Sequence, residues 1–288
     1  MKVIFASDIH TDKHFLGDLL EKAEEHSVDC VVIGGDITPK ELPVEKLMDA
    51  QKDYLLGEFT EKLRDFKRQK AGRKIYYDLG NDDVKYNRRF LEQFNGALFT
   101  LIHDNIAPFD RGLDIVGYMN VPFTPFGLKD WEKADRKGEP FVSPHGIVHG
   151  YRTDEGFMKK IVVNDMEDTI ERDLQELSKR ILNPFIFVCH APPNGTALDQ
   201  LYGGIHVGSV AVRRFIEKHA GDGSLVASFH GHIHESPFVS RKAVDEVRGV
   251  TCVNLGQSER NGDIRYAIFN TEDVRNSLET YYNIGQTR

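Results

Sequence analysis

The chain has 288 residues, 40% of them hydrophobic and 28% charged, with a formal net charge of −8. The composition suits a soluble globular protein large enough for a substantial core, and the acidic balance disfavours unspecific binding to polyanions. No run approaches the roughly 18 apolar residues of a spanning helix, Met1–Asp8 turns acidic too early for a signal peptide, and three cysteines without a CxxC pair do not make a disulfide framework.

In chain order, Lys2–Ser7 reads as a buried strand, and His14–His26 as a helix with Phe15, Leu19, Leu20 and Ala23 on one face. Cys30–Gly34 is a second strand ending in Gly-Gly-Asp. Val44–Gln69 is a long amphipathic helix, and Ile75–Leu79 a third strand. Arg88–Phe94 reads as a short helix, Phe99–Ile102 and Leu113–Tyr118 as strands. From Asn120 to Asn164 the periodicity lapses into Pro, Gly and charge. Because this stretch holds Trp131 and several Phe, it reads as an irregular insertion and not a tether. Asp165–Leu182 is helical, Phe185–Val188 a strand, Gly208–His219 a helix and Leu225–Phe229 a strand. The rest reads as β, around Phe238, Thr251–Val253, Ile264–Phe269 and Ser277–Tyr282. Alternating strands and helices in the first half predict parallel βαβ units, and the tail a second sheet with antiparallel edges, in one domain spanning residues 1–288. The three cysteines, Cys30, Cys189 and Cys252, read as small core residues.

Five predicted strand ends carry metal-binding residue types. The first ends Ser-Asp-Ile-His (Asp8, His10), the second Gly-Gly-Asp (Asp36), and the third Gly-Asn-Asp-Asp (Asn81). Two later ones end Cys-His-Ala-Pro-Pro (His190) and Gly-His-Ile-His (His232, His234). Each fragment alone is weak: Asp78–Val84 reads equally as a hairpin turn, a helix cap or part of a site. Together they place carboxylate, amide and imidazole donors where α/β folds put their chemistry. In an extended chain the D-x-H spacing sets Asp8 and His10 on one side. Asp36 is the natural carboxylate to bridge two cations.

Taken in order, D-x-H, G-D, G-N-D, H-A-P-P and G-H-I-H resemble the calcineurin-like metallophosphoesterase superfamily, over Val3 to about Ser258. The resemblance implies an α/β/β/α sandwich of two mixed β-sheets flanked by helices. It also implies two metal ions (Mn, Fe or Zn), one on Asp8, His10, Asp36 and His234, the other on Asp36, Asn81, His190 and His232. The implied activity is hydrolysis of a phosphodiester or phosphomonoester by a metal-bridging hydroxide. A small phosphorylated molecule or nucleotide is the favoured partner, and no membrane; the insertion at about 120–164 would lie near the active site as its lid or substrate wall. The alternatives are a metal-dependent nuclease and a non-catalytic scaffold on the same fold.

Two departures stand out. Asp82 occupies the place where many relatives carry a catalytic histidine, and Gly35-Asp36-Ile37-Thr38-Pro39 lacks the second aspartate of GDxxD. The glycine-rich run ending in His206, Gly208 and Ser209 precedes a helix and reads either as an anion site or as a plain loop with Ser209 capping the helix. His206 would face the phosphoryl group or leaving oxygen, and Arg88 is a candidate to bind phosphate or to anchor a helix. His145 and His149 are candidates to face substrate from the insertion; His103 reads as a supporting residue, and His219 as a surface residue on a helix.

Overall fold

The computed structural model describes residues 1–11, 14–40, 42–138, 149–153, 155–163, 167–257 and 263–282. Its strands are β1 (Lys2–Ala6), β2 (Cys30–Ile33), β3 (Lys74–Tyr77), β4 (Thr100–Leu101), β5 (Asn105–Asp110), β6 (Leu113–Tyr118), β7 (Val121–Pro122) and β8 (Glu132–Lys133). They continue with β9 (His149–Arg152), β10 (Lys159–Val162), β11 (Phe185–Cys189), β12 (Leu225–His230), β13 (Val244–Val247), β14 (Val250–Asn254), β15 (Tyr266–Asn270) and β16 (Glu279–Tyr281). The helices are α1 (Phe15–Glu25), α2 (Val44–Tyr54), α3 (Thr60–Gln69), α4 (Arg88–Leu91), α5 (Ile170–Arg180), α6 (Val210–Gly221), α7 (Ser236–Ser240) and α8 (Val274–Ser277).

Two six-stranded mixed sheets form the frame, in the orders β16-β15-β1-β2-β3-β4 and β13-β14-β12-β11-β6-β5. In the first, β1, β2, β3 and β4 are parallel and β15 joins β1 antiparallel. In the second, β6, β11, β12 and β14 are parallel, with antiparallel edges β5 and β13. The apolar faces meet in one core, where the Phe229 ring stacks on Phe269 at 4.8 Å and tilts against Phe5 at 5.1 Å. The central strands β1, β2 and β11 are buried along almost their whole length, which explains their unbroken apolar runs. Amphipathic α5 and α6 cover the outer face of the second sheet, and α1 and α3 pack their apolar stripes on the first. This is the mixed α/β sandwich of two sheets flanked by helices expected from the motif order. No helix among the described residues is long and apolar enough to cross a membrane.

Several local expectations change. The long helix Val44–Gln69 is broken by a π turn over Leu55–Phe59, where the Thr60 hydroxyl donates to Leu55 O at 2.6 Å. Phe238 lies in α7 and not a strand, because Pro237 opens a helical turn there. The described residues of the insertion hold more regular structure than its composition suggests. It carries the short pairings β7–β8 and β9–β10, and Trp131 is fully buried, its indole N–H donating to Asp83 O at 2.9 Å. His219 is buried, hydrogen bonded to Ser178 and Ser224, and not a surface residue. His149 is exposed at the start of β9; His145 lies outside the described residues.

Candidate metal centre

All five motif loops leave the C-terminal ends of parallel strands, and they converge. Ligand atoms of His10, Asp36 and His234 lie within 4.8 Å of one another, as do those of Asp8, Asp36 and His190, so Asp36 belongs to both groups. Asn81 joins the second group, its Oδ1 3.0 Å from His190 Nε2. The His232 ring lies beside His190, with centroids 5.3 Å apart. The backbone explains the convergence differently from the extended-chain reading. Asp8, Asp36 and His232 adopt left-handed conformations (φ 59°, 52° and 67°), and His10 sits in a short 3-10 turn. The D-x-H pair therefore meets through a tight bend, a conformation L-residues hold only where their surroundings enforce it.

Two glycines permit the close approach. A Cβ on Gly80 would fall 2.2 Å from Asp36 Oδ1, and one on Gly231 would fall 2.1 Å from Asp8 Oδ2. Backbone donors fix the carboxylates: Asp82 N–H to Asp36 Oδ1 at 2.8 Å, and His232 N–H to Asp8 Oδ1 at 3.0 Å. Asp83, which sequence reasoning passed over, ties the second and third strand ends together. Its carboxylate accepts from Ile37 N (3.1 Å), Thr38 N (2.8 Å), Thr38 Oγ1 (2.5 Å) and Gly80 N (2.8 Å). It braces the loop in which GDxxD lacks its second aspartate. Burial and the charge of Asp36 push its carboxyl up to about 7. The doubled acid of Gly-Asn-Asp-Asp was its only signal in the sequence.

The donor set fits cations. His10 Nδ1 sits 3.0 Å from Asp36 O, and a carbonyl only accepts, so the ring proton lies on Nδ1. The buried Nε2 is left with a lone pair and no hydrogen bond. His190 repeats the pattern, its Nδ1 2.7 Å from Gly34 O. Its Nε2 faces Asn81 Oδ1 at 3.0 Å, Asp36 Oδ2 at 3.3 Å and Asp8 Oδ1 at 3.9 Å. With neutral imidazoles these are converging acceptors, an arrangement that a positive charge must satisfy. The same potential acts on protons. Burial disfavours charge on His190, yet Asp36 and Asp8 push its pKa up to about 10, while burial and His190 bring His232 down to about 3.

The cluster floors a cavity of about 390 Å³. Asp82 lines it, held by Lys40 Nζ at 3.2 Å and by the Asn81 side-chain amide at 2.9 Å, with His10 Nε2 at 3.4 Å. Burial and Asp36 raise the Asp82 pKa above the ordinary carboxylate value. Lys40, Leu42, Leu47 and Glu235, which also line it, were not singled out in the sequence, whereas Phe126, Leu128, Tyr151 and Met158 come from the insertion. A larger cavity of about 500 Å³, against α1 and the β15–β16 edge, contains none of the candidate ligands.

Four other expected site residues are engaged elsewhere. Arg88 is spent on the fully buried Asp78, through Nε at 2.8 Å and Nη2 at 2.9 Å, and does not line the cavity. The N-terminus of α6 is already filled by an anion of this chain. Val210 N and Ala211 N donate to Asp135 Oδ2 at 2.8 and 3.2 Å, and the Ser209 hydroxyl donates to Asp135 while capping Val212 N. Gly208 N donates to Asp199 Oδ2 at 3.0 Å. Ser209 N donates to Pro192 O at 2.9 Å, so neither Ser209 nor Gly208 has an amide left for substrate. His206 pairs through Nδ1 with the buried Asp199 at 2.7 Å and is absent from the cavity lining.

A family model described as calcineurin-like phosphoesterase matches residues 1–236. No curated protein matches the sequence. Among solved structures, TT1561 of Thermus thermophilus is 18% identical, with a TM-score of 0.56 over 99% of each chain. A dimetal phosphatase from Danio rerio is 14% identical, with a TM-score of 0.51 over 93% of this chain and 92% of that one. At such identity these structures speak to the fold alone; the family match extends from β1 through the G-H-I-H loop and takes in every strand end described above. The chain therefore belongs to the calcineurin-like phosphoesterase family and is a metal-dependent phosphoesterase.

Proposed function

We propose that the chain hydrolyses a small phosphate ester at a dinuclear centre, with Asp8, His10, Asp36 and His234 holding one ion and Asp36, Asn81, His190 and His232 the other. The reading is carried by the shared position of Asp36 in two ligand groups, at the floor of a cavity that Asp36, Asn81, His232 and His234 line. Imidazole and carboxylate donors suit Mn, Fe or Zn. Such ions, when bound, supply an activated water at neutral pH and neutralise charge on the phosphoryl oxygens.

The chain's own groups position and select. The amides of Asp82 and His232 keep the two carboxylates oriented, so little reorganisation is needed when substrate arrives. At the rim, the Lys40 ammonium offers a positive charge to a phosphoryl oxygen beyond the cluster. Asp82 stands where an imidazole would protonate a departing alkoxide, and it is already paired with Lys40. This favours diesters and leaving groups that depart without a strong acid. A cavity of about 390 Å³ is the size of a small-molecule site, and the net charge of −8 works against a long polyanion.

The test is turnover by Mn²⁺-, Fe²⁺- and Zn²⁺-loaded protein of a generic diester, a generic monoester, cyclic nucleotides and single-stranded DNA. The expected result is diester hydrolysis that a chelator abolishes. Fully loaded protein that turns over none of them would overturn the reading. Preferential cleavage of DNA, falling steeply with salt, would support the nuclease alternative instead.

A further inference from the structure

We propose that the wall of this cavity is a subsite for a flat aromatic ring attached to the phosphoryl group through its ester, an inference that rests on the phosphoesterase reading above. The wall is formed by Leu42, Leu47, Phe126, Leu128, Tyr151 and Met158, and is continuous with the floor that carries Asp36, Asn81, His232 and His234. A substrate whose phosphorus sits over the floor must direct one of its ester groups along these side chains.

The wall is held by a connected set of hydrogen bonds. Tyr151 N donates to Gly127 O and Lys129 N to Tyr151 O, both at 2.8 Å, which zips the loop carrying Phe126 to β9. Beneath it, a fully buried Lys129–Glu132 ion pair at 2.8 Å is clasped by Thr124. Lys129 Nζ donates to Thr124 O at 2.8 Å, and Thr124 N to Glu132 Oε2 at 3.0 Å. Phe126 N then donates to Thr124 Oγ1 at 3.1 Å. This internal order holds Phe126 53% exposed beside a catalytic cavity, although a large apolar side chain on an ordered loop gains nothing from water.

The chemistry of the wall selects a ring. Phe126 and Tyr151 offer aromatic surfaces, and the Met158 thioether is a favourable neighbour for a ring edge. The ring could come from a nucleobase or from an aryl alcohol, and the two sources are separable.

The experiment is titration calorimetry of Mn²⁺-loaded protein with adenosine 5′-monophosphate, ribose 5-phosphate, phenyl phosphate and butyl phosphate, for wild type, Phe126→Ala and Phe126→Tyr. Wild type is expected to bind the adenosine compound about tenfold tighter than ribose 5-phosphate, the scale of one base–aromatic contact. Phe126→Ala should close that gap with ribose 5-phosphate unchanged, and Phe126→Tyr should restore it. A parallel gain for phenyl over butyl phosphate supports an aryl source as well; a gain for adenosine alone supports a nucleobase. Equal affinities within each pair, or an equal loss for all ligands in Phe126→Ala, overturn the inference while leaving the phosphate site standing. Binding of no phosphate by any form overturns the phosphoesterase reading itself, and the subsite with it.

Discussion

Asp82 donates its backbone N–H to Asp36 Oδ1 at 2.8 Å, so the loop after β3 holds in place the carboxylate that the loop after β2 supplies. Neither loop can form the cluster alone. The contact requires the two backbones to come close enough that only glycine fits between them.

Gly80→Ala tests that closeness. Its Cβ would lie 2.2 Å from Asp36 Oδ1 and 2.4 Å from Asp36 N, so Asp36 must shift. The expected outcome is loss of bound metal, measured by elemental analysis, with destabilisation of about 1–3 kcal/mol in metal-free protein. Unchanged metal content would contradict the geometry.

The buried Lys129–Glu132 pair predicts strong coupling. Lys129→Met leaves the Glu132 carboxylate buried without its partner and should cost about 3–5 kcal/mol in urea denaturation. Adding Glu132→Gln keeps an acceptor for Thr124 N–H and removes the orphaned charge, so the double variant should be more stable than the single one. Simple additivity of the two losses would show that the pair is not coupled.

Asp110 joins the two sheets at their edge. It accepts from the Thr271 hydroxyl and from Arg111 N at 2.9 Å, and the Met1 amino group lies 3.2 Å away. The Thr271 hydrogen bond leads the causes that bring its pKa from 3.8 to about 2. A carboxyl depressed on folding adds stability above its unfolded pKa and loses it as pH falls through the folded one. Asp110→Asn should therefore be less stable than wild type near neutrality, by under about 1 kcal/mol because the group is solvent-screened. The difference should shrink between about pH 4 and pH 2. A difference independent of pH would refute the linkage.

Much of the centre was legible because its residues follow buried strands, whose apolar runs fix where each loop begins. Asp36, Asn81 and the histidines could be located from that punctuation and from the order of the motifs. For Arg88, Ser209 and His206 the sequence left the choice open, because their partners Asp78, Asp135 and Asp199 are set by folding. A free helix N-terminus looks the same in sequence as one filled by a distant carboxylate. The helical turn at Phe238 and the strand pairings among the described residues of the insertion were hidden for a related reason: Pro, Gly and charge describe a turn locally, whereas burial of Trp131 against Asp83 decides the packing.

The central claim is that Asp36 serves two metal ions at once. Metal stoichiometry after Mn²⁺ loading and gel filtration, compared between wild type and Asp36→Asn, tests it most directly. The account predicts two ions per wild-type chain and fewer than one in the variant. A variant that keeps both ions, or a wild type that never takes up more than one, would contradict it.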